Sequence, residues 1–278
     1  MPSPRRLDFT DHRRDLGENR YVYAVVSRRA GGLSIGVNLN PDKVCNFDCP
    51  YCQVDRRVPG GSARIDQNRL HEELEQLLLR VRSGDLWADS PFDTTAAEHR
   101  HVVDIAFAGD GEPTTPPEFP GSAALVASLR DRLAPGVPVR LLTNSTLLHR
   151  ASVRAGLPHI DEIWCKLDAG TEPYFQLVDG TKFPFARVLR NLRELAALRP
   201  IVIQSMFLTM DGEGPADAEI AAWVERLREV AQSGTVAEVQ VYTVARPPAS
   251  SQVGALPPDR LAWIGAHAAA VGLSVKVV

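Results

Sequence analysis

Three cysteines, Cys45, Cys49 and Cys52, fall in the run Val44-Cys45-Asn46-Phe47-Asp48-Cys49-Pro50-Tyr51-Cys52, a C-x3-C-x2-C array with Tyr51 directly before the third thiol. Thiolates this close in sequence can converge on one inorganic centre from a single loop. Three protein ligands also leave a fourth position open. An iron–sulfur cluster with one iron free of protein ligands is a reactive centre, whereas a cluster held by four Cys carries electrons. The competing reading is structural zinc, which takes four ligands in paired short spacings. No second Cys pair accompanies this array, and the seven His lie scattered without metal spacing.

Five further segments combine polar groups with the ends of apolar runs. In Ala108-Gly109-Asp110-Gly111-Glu112-Pro113-Thr114, Gly109 and Gly111 permit close backbone approach, and Asp110 and Glu112 offer acceptors. Gly-Asp-Gly is equally a turn sequence. Leu142-Thr143-Asn144-Ser145 presents Asn144 and Ser145 either to a ligand or as a helix N-cap. In Trp164-Cys165-Lys166-Leu167-Asp168, strand alternation puts Lys166 and Asp168 on one face and Cys165 on the other, in the core. A buried Lys needs a partner or a task, and a Lys166–Asp168 contact is the plain alternative. Gln204 is polar within the apolar run Ile203–Phe207. Tyr242 and Arg246 close the run Val239–Pro248, where Arg246 either binds an anion or is a solvated loop residue.

These segments need a scaffold. Candidate strands are Leu33–Val37, Val102–Ala108, Val139–Thr143, Glu162–Leu167, Ile201–Thr209, Glu238–Val244 and Leu273–Val278, rich in Val and Ile as buried parallel strands are. Between them, Leu70, Leu74, Leu77, Leu78 and Val81 share a helical face with Asp66 as N-cap. Further stripes run through Leu125 and Leu129, Val188 to Leu195, Ile220 to Leu227, and Leu261 to Ala268. Strand–helix alternation implies right-handed βαβ units and an α/β fold, a partial (β/α)6 parallel barrel. Ser83–Glu98 reads as a polar surface excursion. In parallel α/β folds the reactive groups sit on loops at the carboxyl ends of strands, so the chemistry-bearing segments share one rim.

The Cys array after the first strand, with Tyr51 in the aromatic slot, resembles the radical S-adenosylmethionine (SAM) superfamily. The resemblance covers residues 32–278 and implies that Cys45, Cys49 and Cys52 hold one [4Fe–4S] cluster whose open iron chelates SAM. It implies reductive cleavage of SAM to a 5′-deoxyadenosyl radical that takes hydrogen from a substrate. Gly109–Glu112 resembles the element that receives the SAM amino group. By the same resemblance Asn144, Ser145, Asp168, Gln204 and Tyr242 face SAM, and Lys166 and Arg246 face the substrate. The array followed by Gln53-Val54-Asp55-Arg56, together with Gly109–Thr114 and Lys166–Gly170, is most similar to iron–sulfur oxidoreductases related to the wyosine tRNA synthetases. Those carry a second cluster on three further Cys; only Cys165 remains here. The expected partners are SAM, an electron donor such as flavodoxin or ferredoxin, and a small-molecule, RNA or peptide substrate. The alternative functions are wyosine-like modification of a tRNA base, or a radical-generating activase or modifier of a protein or peptide partner.

The remaining composition is restrictive in a different way. The chain has 278 residues, 44% hydrophobic content and a net charge of -3, so it advertises neither bulk nucleic-acid nor membrane binding. Residues 1–31 read as a basic extension, with Arg5-Arg6, Arg13-Arg14 and Arg28-Arg29, and 32–278 as the core domain. No apolar run approaches the roughly 20 residues of a membrane span. With no signal peptide and no spread of Cys for disulfides, the expected location is cytoplasmic.

Overall fold

The computed structural model describes residues 19–27, 31–246, 248 and 250–278. The paired arginines read as a basic extension lie outside these residues. The chain runs β1 (Val22–Ser27), β2 (Gly32–Val37), α1 (Gln67–Ser83), β3 (Val102–Phe107), α2 (Phe119–Leu133), β4 (Val139–Thr143), α3 (Ala151–Gly156), β5 (Glu162–Lys166), α4 (Glu172–Val178), α5 (Phe185–Leu198), β6 (Ile201–Met206), β7 (Leu208–Met210), α6 (Asp217–Ser233), β8 (Val236–Tyr242), β9 (Val253–Ala255), α7 (Pro258–Ala269) and β10 (Val275–Val277). The main sheet has the order β1-β2-β3-β4-β5-β6-β8-β10. Within it only β1 pairs antiparallel; β2, β3, β4, β5, β6, β8 and β10 run parallel. This is the expected partial parallel barrel, with one strand added at each edge of the six that carry the site.

Alternation along the strands makes the core. Val139, Leu141 and Thr143 of β4, Ile163 and Cys165 of β5, and Ile201, Ile203 and Ser205 of β6 are buried on the face toward the helices. Helix α1 shows why its sequence folds as it does. The Asp66 carboxylate accepts the amides of Asn68 and Arg69, Gly84 ends the helix at φ 89°, and Leu70, Leu74, Leu77 and Leu78 are buried. The cap contributes about 1 kcal/mol, and each buried Leu about 1.5–3 kcal/mol.

The opposite face of the strands is hollow and polar. A cavity of about 890 Å³ runs along the inner wall. Arg140 crosses it, donating to Asp104 at 2.5 Å and Glu162 at 2.8 Å, with its guanidinium 4.9 Å from the Trp164 ring centre. Gln204 donates to Gln240 on the neighbouring strand at 2.9 Å.

Three expectations need correction. Residues 22–27 are not extension but strand β1. The Glu73 carboxylate of α1 accepts the backbone amides of Arg20, Tyr21 and Val22 at 2.7–3.0 Å, which stitches β1 to the core. Tyr23 also covers Gly36, where a Cβ would fall 1.9 Å from the ring. The segment 83–98 is not a polar excursion: it folds into three short 3-10 turns that bury Leu86, Trp87 and Phe92. The run Ile201–Thr209 is not one strand. It breaks at Phe207, whose amide turns to the Tyr242 carbonyl at 2.8 Å, and β7 then leaves to pair antiparallel with β9.

Candidate functional site

The Cys loop lies beyond the carboxyl end of β2, on the rim. Its shape comes from its own backbone and from neighbouring rim loops. The Cys52 amide donates to the Cys49 carbonyl at 2.9 Å, and the Phe47 amide donates to Cys45 Sγ at 3.5 Å. Phe47 is buried against Phe175 of α4, with ring centroids 5.6 Å apart. Asn46 donates to Thr146 at 2.7 Å and accepts from Asn144 at 2.6 Å, fastening the loop to the end of β4. The Thr181 hydroxyl donates to the Asn46 carbonyl at 3.4 Å.

The three thiols share this one loop, and Cys52 lies within electrostatic reach of both Cys45 and Cys49. Burial pushes the Cys45 and Cys49 thiols up, and Lys166 works against that at Cys49. The Arg56 guanidinium lies against Cys52 and within 3.8 Å of Asp48. Among the described residues no three His, Cys, Asp or Glu are gathered as a single metal ion requires. A four-iron cluster is a larger body, which holds its thiolates farther apart than one ion does. Cys165 is fully buried on the helix-facing side of β5, with Ser145 beside it, and cannot join the triad.

The Gly109–Glu112 segment follows β3 and packs directly on the Cys loop. A Cβ on Gly109 would fall 2.2 Å from Asn38 Oδ1, and one on Gly111 would fall 2.2 Å from the Val44 carbonyl. Close approach is therefore what these glycines provide, and it is to the chain itself. Asp110 is held by Asn38, which donates to its carboxylate at 2.8 Å and accepts its amide at 3.1 Å. Asn40, packed against Gly111, is buried, and its Oδ1 has no hydrogen-bond partner among the described residues.

Several residues expected to face a ligand are turned to the chain. Glu112 is 3% exposed, and its carboxylate accepts from the Thr114 amide and hydroxyl, the Thr143 hydroxyl and the Asn144 amide. It ties the β3 loop to the β4 loop. Ser145, at φ 66°, is fully buried beside Cys165, so its hydroxyl does not reach the rim. Asn144 spends its amide on Asn46 and Thr146. Asp168 is fully buried and accepts from Tyr51 at 2.5 Å, from the Met206 amide at 2.9 Å, and from Lys166.

Lys166 is the centre of that last group. Its ammonium pairs with Asp168 and with Asp179 at 3.0 Å, and sits 4.4 Å from the Tyr51 ring centre. Burial alone would lower its pKa, but the two carboxylates override burial and keep it protonated. Gln204 lies on the inner wall as expected, and Tyr242 ends β8 within electrostatic reach of Lys166 and Asp168. The Arg246 carbonyl accepts from Gln53 at 3.5 Å, which brings the β8 loop to the Cys loop.

Sequence reasoning missed Asp179, Asn38, Asn40 and Asn46. Asn38 and Asn40 follow a strand and could have been found by that position. Asp179 could not, because α4 carries too short an apolar pattern to be read as a helix.

Among the described residues no helix is long and apolar enough to cross a membrane. Residues 39–224 match the family model described as the radical SAM superfamily. The chain is 26% identical over 195 residues to a protein named GTPase Obg of Brachyspira hyodysenteriae, covering 69% of this chain and 25% of that one. It is 29% identical over 160 residues to a UPF0026 protein of Methanocaldococcus jannaschii, covering 57% and 43%. The chain thus spans less than half the length of these relatives. Among solved structures, a radical SAM methyltransferase from Sphaerobacter thermophilus superposes with a TM-score of 0.60 at 13% identity, covering 89% of this chain and 66% of that one. TYW1 with a lysine–pyruvate adduct bound gives 0.56 at 16% identity, covering 85% and 72%. Similarity at that level shows the shared fold alone, whereas the family match takes in the Cys array and strands β3 to β6: the chain belongs to the radical SAM superfamily of enzymes.

Proposed function

We propose that Cys45, Cys49 and Cys52 hold one [4Fe–4S] cluster, and that the chain uses it to open SAM and abstract hydrogen from a substrate in the barrel. When bound, such a cluster supplies the electron that splits SAM into methionine and a 5′-deoxyadenosyl radical. The observation that carries the reading is the thiol triad itself: three neighbouring Cys on one rim loop, with the fourth Cys sealed in the core.

The chain's own residues support SAM beside that triad. Asn40 Oδ1 is a buried acceptor left without a donor among the described residues, next to Gly111, and suits the SAM ammonium. Gln204 and Tyr242 offer polar groups along the inner wall. Asp168, Glu112 and Asn144 act one layer back, holding the loops rather than the ligand, and Ser145 is sealed beside Cys165. The polar cavity below, crossed by Arg140, suits a substrate that hydrogen-bonds. The substrate is open: a small molecule, an RNA base or a peptide. Flavodoxin or ferredoxin is the expected class of electron donor.

Anaerobic reconstitution is expected to load about four irons per chain, and dithionite with SAM to yield 5′-deoxyadenosine. Cys49→Ala loses both, and Cys165→Ala keeps both. A loaded, reduced cluster that leaves SAM intact overturns the reading. Transfer of deuterium from a labelled candidate into 5′-deoxyadenosine identifies the substrate.

A further inference from the structure

Cys49 does not sit among neutral neighbours. The carboxylate of Asp179, 1% exposed, lies with Oδ1 3.7 Å from Cys49 Sγ and 3.0 Å from Lys166 Nζ. Lys166 continues to Asp168, and Asp168 accepts the Tyr51 hydroxyl. The network therefore places one ammonium and two carboxyl groups out of water, directly behind one ligand thiol. Charges in such a setting interact far more strongly than at a surface.

The placement is enforced by the backbone. Asp179 follows the end of α4, and its carbonyl accepts the Asp48 amide at 3.2 Å. The next residue, Gly180, stands at φ +57°, and a Cβ there would fall 2.0 Å from the Asp48 carbonyl oxygen. Only glycine lets the chain pass so close to the Cys loop in that conformation. The α4 end and the Cys loop are thus locked together, and the lock delivers a carboxylate to the loop that already has its thiols.

We propose that Asp179 and Lys166 are positioning residues that fix Cys49 and set the reduction potential of the cluster through their balance of charge. The proposal rests on the cluster assignment above. Adding an electron to a cluster adds negative charge, so a nearby carboxylate disfavours reduction and a nearby ammonium favours it. Tuning by fixed charges around a cluster is one of the levers a protein has over its potential. Asp179→Asn keeps the size of the side chain and removes one negative charge. Asp179→Asn combined with Lys166→Met removes one charge of each sign and returns the network to its original net charge.

The test is an EPR-monitored redox titration of the reconstituted full chain at pH 8.5, with iron content and far-UV circular dichroism measured on the same samples. Asp179→Asn is expected to raise the midpoint potential, and the double variant to bring it back toward wild type. An unchanged midpoint in Asp179→Asn, or a double variant that stays at the Asp179→Asn value, overturns the proposal. So does loss of the cluster from both folded variants while the wild type loads, since that makes the network a structural support only. A wild-type chain that binds no cluster refutes the functional reading instead, and iron content separates the two failures.

Discussion

Glu112 gives the sharpest test of how this rim is built, because its two possible roles predict different measurements. Its Oε1 accepts three donors, the Thr114 amide at 3.2 Å, the Thr114 hydroxyl at 2.5 Å and the Thr143 hydroxyl at 2.7 Å. Its Oε2 accepts the Asn144 amide at 2.7 Å. In Glu112→Gln the side-chain oxygen best serves the three donors, which leaves the new NH2 facing the Asn144 N–H. That contact sets one donor against another and strands a buried amide, at a cost of about 1–3 kcal/mol. Losing the charge on the other three bonds adds to this. Burial already works against that charge and outweighs the four hydrogen bonds, since it raises the Glu112 pKa. Neutralisation therefore returns part of the loss. The expected net is about 1–3 kcal/mol of destabilisation, a fall in Tm of roughly 2–8 °C for a chain of this size. Glu112→Ala, which strands both amides, falls further. The assay is thermal unfolding of the chain without SAM, beside SAM binding to the loaded chain. If Glu112→Gln leaves Tm unchanged and weakens SAM binding alone, Glu112 is a ligand acceptor and its assignment to loop bridging is wrong.

Three other outcomes are expected. Gly180→Ala forces a Cβ into the Asp48 carbonyl and a strained φ, and is expected to cost more than about 2 kcal/mol in denaturant unfolding; a wild-type midpoint refutes the lock between α4 and the Cys loop. Asn46→Ala removes two hydrogen bonds from the exposed edge of the loop, each worth about 0.5–1.5 kcal/mol, so iron is expected to leave faster under chelator challenge with little change in global stability. At Asp161 burial acts to raise the pKa, but the Val139 amide and the Arg130 guanidinium outweigh it and hold the carboxylate lowered. Its stabilising contribution is therefore present above the unfolded value of about 3.9 and is lost as pH falls through the lower folded value. Asp161→Asn is expected to give a shallower acid limb in a plot of Tm against pH below about 4; an unchanged limb removes Asp161 from the acid response.

Much of the fold was legible because its signals are local. Val139–Thr143 is a strand with the expected bounds, and Asp66 caps α1 as its side-chain chemistry requires. Period-two burial also put Cys165 in the core and set Lys166 and Asp168 together. Strand β1 was obscured by the arginines around it. Its membership of the sheet depends on Glu73, some fifty residues away, accepting three amides. The segment 83–98 misled for a related reason: its few apolar residues lack a helical or strand period, yet Leu86, Trp87 and Phe92 are all buried.

Residue types and spacing by themselves determined the thiol triad, the parallel α/β scaffold and the single rim, since a C-x3-C-x2-C loop after a strand needs no distant partner to be recognised. Only the tertiary structure decided which polar rim residues are free. Glu112, Asn144 and Asp168 are acceptors and donors in any sequence reading, but each is already satisfied by groups from other loops. Asn40, unremarkable in sequence, is left with a buried side-chain oxygen that no described residue pairs. Asp179 reaches Cys49 only because Gly180 lets two loops touch that lie 130 residues apart. Hydrogen-bond capacity is a property of the side chain; whether that capacity remains for a ligand depends on what the fold has placed beside it.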